Sequence, residues 1–149
     1  MRLVIQRVKH ASCTIDGVVH SKIEKGFCVF VGFTHDDTKE LVSKMVRKLS
    51  KLRVFEDEEG KMNRSLEDVN GSILSISQFT LYASCKKGNR PGFTDAARPE
   101  IAIPLYDFFN EEIANTGIPV QTGVFGADMK IDLLNDGPIT IIYDSKEMF

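Results

Sequence analysis

Asp16-Gly17 stands between two short β-prone stretches, residues 12–15 and 18–23. A two-residue loop of this type is the strongest local signal for a tight hairpin, because both residues accept positive φ. The N-terminal third is thereby committed to antiparallel strands. Upstream, residues 3–8 alternate at period two with apolar residues on both faces. Downstream, residues 27–33 form one unbroken apolar run, the pattern of a strand covered on both sides.

The period then changes. Leu41, Val42, Met45, Val46, Leu49 and Leu52 recur at helical spacing behind Asp36, Asp37 and Thr38, any of which can cap the helix. Lys44, Arg47, Lys48 and Lys51 fall on the opposite face, where a solvated surface is preferred over contact with RNA. Asp57-Glu58-Glu59-Gly60 marks a turn, and residues 72–83 read as one long strand. Residues 84–94 form a polar loop. A second helix is expected from Pro99 to Gly117, with Pro104 kinking it or delaying its start. Residues 120–122, 129–134 and 139–143 return to strands, the last two separated by a turn at Asn135-Asp136-Gly137-Pro138. Strands outnumber helices. The expectation is one α+β domain over residues 1–149, a curved, mostly antiparallel sheet with two main helices packed on it.

Charge and composition narrow the function. Lys and Arg total 19 against 21 Asp and Glu, a net charge of −2, so nucleic acid would be met through a local patch and not along a broad basic surface. No apolar run reaches membrane-spanning length and no signal-peptide pattern opens the chain, which points to the cytoplasm. Cys13, Cys28 and Cys85 form no CxxC and are expected as free thiols. His10, His20 and His35 make no metal-binding pattern, and neither a G-x-G-x-x-G nor a P-loop is present, so no metal and no cofactor is expected.

Two segments carry candidate chemistry. In Ser77-Gln78-Phe79-Thr80-Leu81 a hydroxyl nucleophile would need a neighbouring base, and the sequence offers no His or Lys partner. On a strand, Ser77 and Thr80 would point to opposite faces. Gly137-Pro138 by itself favours a trans turn, since only about 5–6% of X-Pro bonds are cis in folded proteins. A cis bond would turn two carbonyls the same way, able to receive an ammonium group.

Taken together, these pieces resemble the D-aminoacyl-tRNA deacylases from end to end. The matching stretches are Gln6-Arg7-Val8, Phe55-Glu56-Asp57 to Lys61-Met62-Asn63, and Ser77 through Ala83. They continue with Lys87-Gly88-Asn89-Arg90-Pro91, Phe93-Thr94-Asp95-Ala96-Ala97, Thr122-Gly123 with Phe125-Gly126-Ala127-Asp128-Met129, and Asn135 to Pro138. The resemblance implies a barrel-like homodimer whose substrate is the ester at the 3′-terminal adenosine of aminoacyl-tRNA. It implies that Gly137-Pro138 is cis and enters the partner's active site, that Arg7 braces this motif, and that Phe125, Gly126, Ala127 and Met129 form a pocket wall. Ser77, Gln78, Phe79 and Thr80 are its catalytic segment.

On that footing the physics is specific. An ammonium group fixed by two carbonyls leaves the side chain of a D-amino acid in open space and drives that of the L-enantiomer into the backbone. Glycine, which has no side chain, would pass, so removal of glycine from mischarged tRNA(Ala) is expected. Backbone N–H groups near Phe79 and Thr80 are the expected oxyanion donors. Proton handling is assigned to the RNA's 2′-hydroxyl in preference to Thr80. Lys86, Lys87 and Arg90 are expected to contact tRNA phosphates. A non-catalytic binder of the charged tRNA end is the rival reading, and a Thr-dependent esterase a third. Gly92, Ile139 and Pro104 depart from the family's usual residues, and Gly92 suggests a more flexible loop.

Overall fold

The computed structural model describes all residues, 1–149. Eight strands, β1 (Arg2–Ile15), β2 (Val18–Ile23), β3 (Gly26–Gly32), β4 (Phe55–Glu56), β5 (Met62–Arg64), β6 (Ser72–Ser77), β7 (Val120–Thr122) and β8 (Lys130–Asp144), accompany three helices, α1 (Lys39–Ser50), α2 (Pro99–Asn115) and α3 (Ser145–Met148). The β1–β2 hairpin turns at Asp16 and Gly17 with φ of 50° and 76°. Its register is Ile15 opposite Val18 and Thr14 opposite Val19.

β1 organises the sheet. One edge pairs with β3 and then β2, and the other pairs with β8 from Arg2–Asp144 to Thr14–Lys130. The order is β2-β1-β3-β6-β7, with β8 on β1. Every pairing of β1 is antiparallel, whereas β3–β6 and β6–β7 are parallel. The sheet curls into a nearly closed, barrel-like wall. No helix is long and apolar enough to cross a membrane.

Both long helices pack on one side of this wall. Thr38 is the cap of α1, its Oγ1 accepting from the Leu41 N–H at 3.2 Å, which settles the three-way choice at its start. Val42, Met45, Val46 and Leu49 of α1 meet Leu105, Phe109 and Ile113 of α2 over Leu3, Ile5, Phe27 and Val29. Each fully buried aliphatic side chain contributes roughly 1.5–3 kcal/mol. A smaller cluster lies where no helix covers the sheet. It joins Val8, Cys13, Cys28, Leu74 and Ile76 to the half-buried Met129, Ile131 and Leu133.

Three expectations need correction. The strand expected over residues 72–83 stops at Ser77, and Phe79–Tyr82 form a 3-10 turn. Ser77 and Thr80 therefore do not share a strand. The turn expected at Asn135–Pro138 is instead a bulge in a continuous β8. Gln6 faces Thr140 and Val8 faces Asn135, so two steps along β1 are matched by five along β8. The surplus residues loop outward without reversing the chain. Pro104 does not delay α2, which begins at Pro99. Gly92 is held in place, exchanging two hydrogen bonds of 2.8 Å with Ser84, and a Cβ there would meet only the Ser84 carbonyl oxygen at 3.8 Å. A serine Cβ would fit that space.

Candidate active site

The end of β6 is where the sheet gives out. The Gln78 N–H still donates to the Val31 carbonyl at 2.7 Å, and the chain then tightens into the 3-10 turn. Gly32 makes room for it, since a Cβ there would stand 3.0 Å from both the Gln78 carbonyl oxygen and the Leu81 Cβ. Arg2 fixes the far end. Its Nη1 donates to the Leu81 carbonyl at 2.8 Å, its Nε pairs with Asp144 at 2.8 Å, and its guanidinium lies 4.5 Å from the Tyr82 ring centre. Burial, then the nearby Asp37 carboxylate, pushes the Tyr82 phenol well above its ordinary pKa.

A cleft of about 630 Å³ opens beside this turn. Ser77, Gln78 and Phe79 form one wall, and Phe125, Gly126, Ala127 and Met129 form the facing one. Ile76 and Ile131 extend the smaller apolar cluster to its floor. At the mouth, Phe79 and Phe93 pack edge to face with ring centres 5.0 Å apart, 52% and 38% exposed respectively. Phe125 rests on Tyr106, whose hydroxyl donates to the Ser75 carbonyl at 2.7 Å.

The polar chemistry at this wall belongs to the main chain. The turn's first ring closes from the Leu81 N–H to the Gln78 carbonyl at 3.3 Å, so the amide N–H groups of Phe79 and Thr80 precede it and have no acceptor within the turn. The Thr80 hydroxyl has one side-chain partner, the Gln78 amide nitrogen, which donates to it and cannot act as a base. Thr80 itself is exposed and does not line the cleft.

Gly137-Pro138 lies elsewhere. The peptide bond is cis, both residues are exposed, and neither lines the cleft of its own chain. Behind it sits Arg7, only 5% exposed. Arg7 Nη1 donates to the Val54 carbonyl at 2.6 Å and to Glu56 at 3.3 Å, and Nε donates to the Asp136 carbonyl at 3.1 Å. Asn135 ties the bulge across its base, accepting from the Ile139 N–H at 3.0 Å and donating to Thr140 Oγ1 at 2.9 Å. Gly137 has φ of +129°, and a Cβ there would stand 2.8 Å from Ile139 Cγ1.

Lys86, Lys87 and Arg90 are exposed in the turn closed by the Ser84–Gly92 bridge, and none lines the cleft. Site reading from the sequence passed over Phe93, Ala96, Ala97, Pro99 and Asp128, all of which line it. The signal was within reach, since Phe93-Thr94-Asp95-Ala96-Ala97 stands among the matching stretches.

A family model described as D-Tyr-tRNA(Tyr) deacylase matches residues 4–144. The D-aminoacyl-tRNA deacylase of Limosilactobacillus reuteri (strain DSM 20016) is 63% identical over 144 residues, covering 97% of this chain and 99% of its own. That of Bacillus cereus (strain G9842) is 55% identical over 146 residues, covering 98% and 100%. Among solved structures, the c-Myc DNA Unwinding Element Binding Protein aligns with a TM-score of 0.91 at 43% identity over 97% of this chain and 98% of that one. A probable eukaryotic D-amino acid tRNA deacylase shares the fold with a TM-score of 0.83 at 20% identity, covering 95% and 97%. The chain belongs to the D-Tyr-tRNA(Tyr) deacylase family, a family of hydrolases.

Proposed function

We propose that this protein hydrolyses the ester joining a D-amino acid to the 3′-terminal adenosine of tRNA, in the cytoplasm, as a homodimer. Water adds to the ester carbonyl, the bond to the ribose oxygen breaks, and free D-amino acid and tRNA leave. The observation that carries this reading is the family match across residues 4–144, which spans both the Ser77–Leu81 segment and Gly137-Pro138.

The geometry supports each role in turn. Free amides of Phe79 and Thr80 suit the oxyanion that develops on the attacked carbonyl. Gly137-Pro138 is exposed on a bulge braced by Arg7 and does not line the cleft of its own chain. In the proposed dimer, Gly137-Pro138 of the partner subunit holds the substrate ammonium group over this cleft. An L side chain then collides with main chain, whereas a D side chain or glycine does not, so glycine on tRNA(Ala) is also released. β8 favours such an assembly, since its outer edge pairs with no strand and it exposes Leu134 by 47% and Ile142 by 69%. With no base beside Thr80, the terminal 2′-hydroxyl of the RNA handles the proton. Lys86, Lys87 and Arg90 meet phosphates at the entrance.

Incubation with D-tyrosyl-tRNA and L-tyrosyl-tRNA tests the reading. Release of tyrosine from the first and not the second is expected. Binding of both without release would make the protein a carrier of charged tRNA, and equal release from both would remove the steric filter.

A further inference from the structure

Beside α1 runs a groove of about 590 Å³ that the deacylase chemistry leaves unused. Lys44, Arg47, Lys48, Lys51 and Arg53 border it, together with Tyr143 and Phe149. No acidic side chain lines it, and none of the five cations takes part in an ion pair. Five of the 19 Lys and Arg thus gather in one furrow of a chain whose net charge is −2.

A merely solvated helix face accounts for this poorly. Solvated faces commonly interleave signs, because like charges three or four residues apart repel. The one acid of α1 is Glu40, in its first turn. The helix dipole favours cations in the last turn, which covers Arg47 and Lys48 but neither Lys44 nor Arg53. The neighbouring hollow on the other flank shares Arg47 and Lys51 but carries Glu67 and Glu112, the pattern expected of an ordinary surface.

We propose that this groove binds the phosphate backbone of the substrate tRNA beyond its 3′ end. Lys44, Lys48 and Lys51 stack a turn apart along α1, a row of about 10 Å suited to a linear polyanion. The end of β3 links the cleft to α1. Cleft-lining Ala97 donates its N–H to the Phe33 carbonyl at 2.9 Å, and Thr34 Oγ1 donates to the Asp95 carbonyl at 2.6 Å. α1 starts five residues after Thr34, and its basic row opens one turn further on. An anionic membrane fits less well, since the apolar face of α1 is already buried in the core and leaves nothing to enter a bilayer. The identity of the RNA rests on the deacylase reading above.

The test is the triple variant R47Q/K48Q/K51Q, changed only at exposed positions. Two substrates are compared, full-length D-tyrosyl-tRNA and the D-tyrosyl ester of adenosine, which has no phosphate backbone. The expected result is about ten-fold weaker tRNA binding at moderate salt, with the slope of log K against log salt shallower by about two to three. Turnover of the adenosine ester stays unchanged. Unaltered tRNA affinity and salt slope would overturn the proposal, as would loss of anionic-vesicle binding with tRNA binding intact. If the unmodified protein hydrolysed neither ester, the deacylase reading would fail, and the tRNA titration would still decide the groove.

Discussion

The cleft beside Phe79 and the Gly137-Pro138 bulge are opposites in form. The cleft is concave, and its walls come from separate stretches around residues 76–79, 93–99 and 125–131. The bulge is convex, built from consecutive residues of one strand and held from behind by one buried arginine. In the proposed site, the cleft supplies main-chain donors and the bulge main-chain acceptors. The one charged side chain lining the cleft, Asp128, pairs with Lys130 at 3.1 Å. On the proposed reading, a site assembled from main chain on both sides is indifferent to which side chain the substrate carries and strict about where that side chain points. Within one chain the two halves do not meet, which is why the proposed site needs two subunits.

A large effect on both stability and rate is expected from Arg7→Ala, which attacks the bulge and leaves the cleft wall untouched. The Val54 and Asp136 carbonyls lose their donor, and Glu56 and Asp136 lose a cation. A stability loss of about 3 kcal/mol is expected in urea melts, since breaking a nearly buried charged hydrogen-bond set strands its partners. Deacylation of D-tyrosyl-tRNA should fall about a hundred-fold, measured on protein that is still folded. A folded variant at full rate would show that the bulge does not need its brace.

Thr80→Ala sharpens the comparison from the other side and should do least. If the cleft works through amides, the rate stays within about three-fold of the unmodified protein. A nucleophilic threonine would instead cost about a thousand-fold or more, and an acyl group would be trapped on it.

What the sequence revealed divides along physical lines. Period and turn chemistry are local, so the Asp16-Gly17 hairpin, α1 and the strand at residues 27–33 were legible directly. The 3-10 turn at Phe79–Tyr82 was not. Its residues alternate like a strand, and what ends β6 is tertiary, namely the close approach permitted by Gly32 and the Arg2–Leu81 bond. The bulge was misread as a turn because Asn-Asp-Gly-Pro satisfies turn rules equally well, and only the pairing of β1 on both flanks shows that the strand continues. The cleft's far wall at Phe93 to Pro99 is brought in by α2 packing, which no local pattern encodes. Exposed Ile142 and Leu134 could not be told from core residues until β8 was placed at an edge.

Complementation between two defective subunits tests the divided site most directly. One variant, Gly137→Ala, forces a side chain onto a residue at φ +129° and spoils the bulge. The other, Ala127→Trp, fills the cleft. Each alone should be inactive on D-tyrosyl-tRNA. Co-expressed and purified as a mixed dimer, they place one intact cleft against one intact bulge, and about half of the normal activity per dimer should return. A mixed dimer as inactive as its parents would mean that each chain builds its whole site alone.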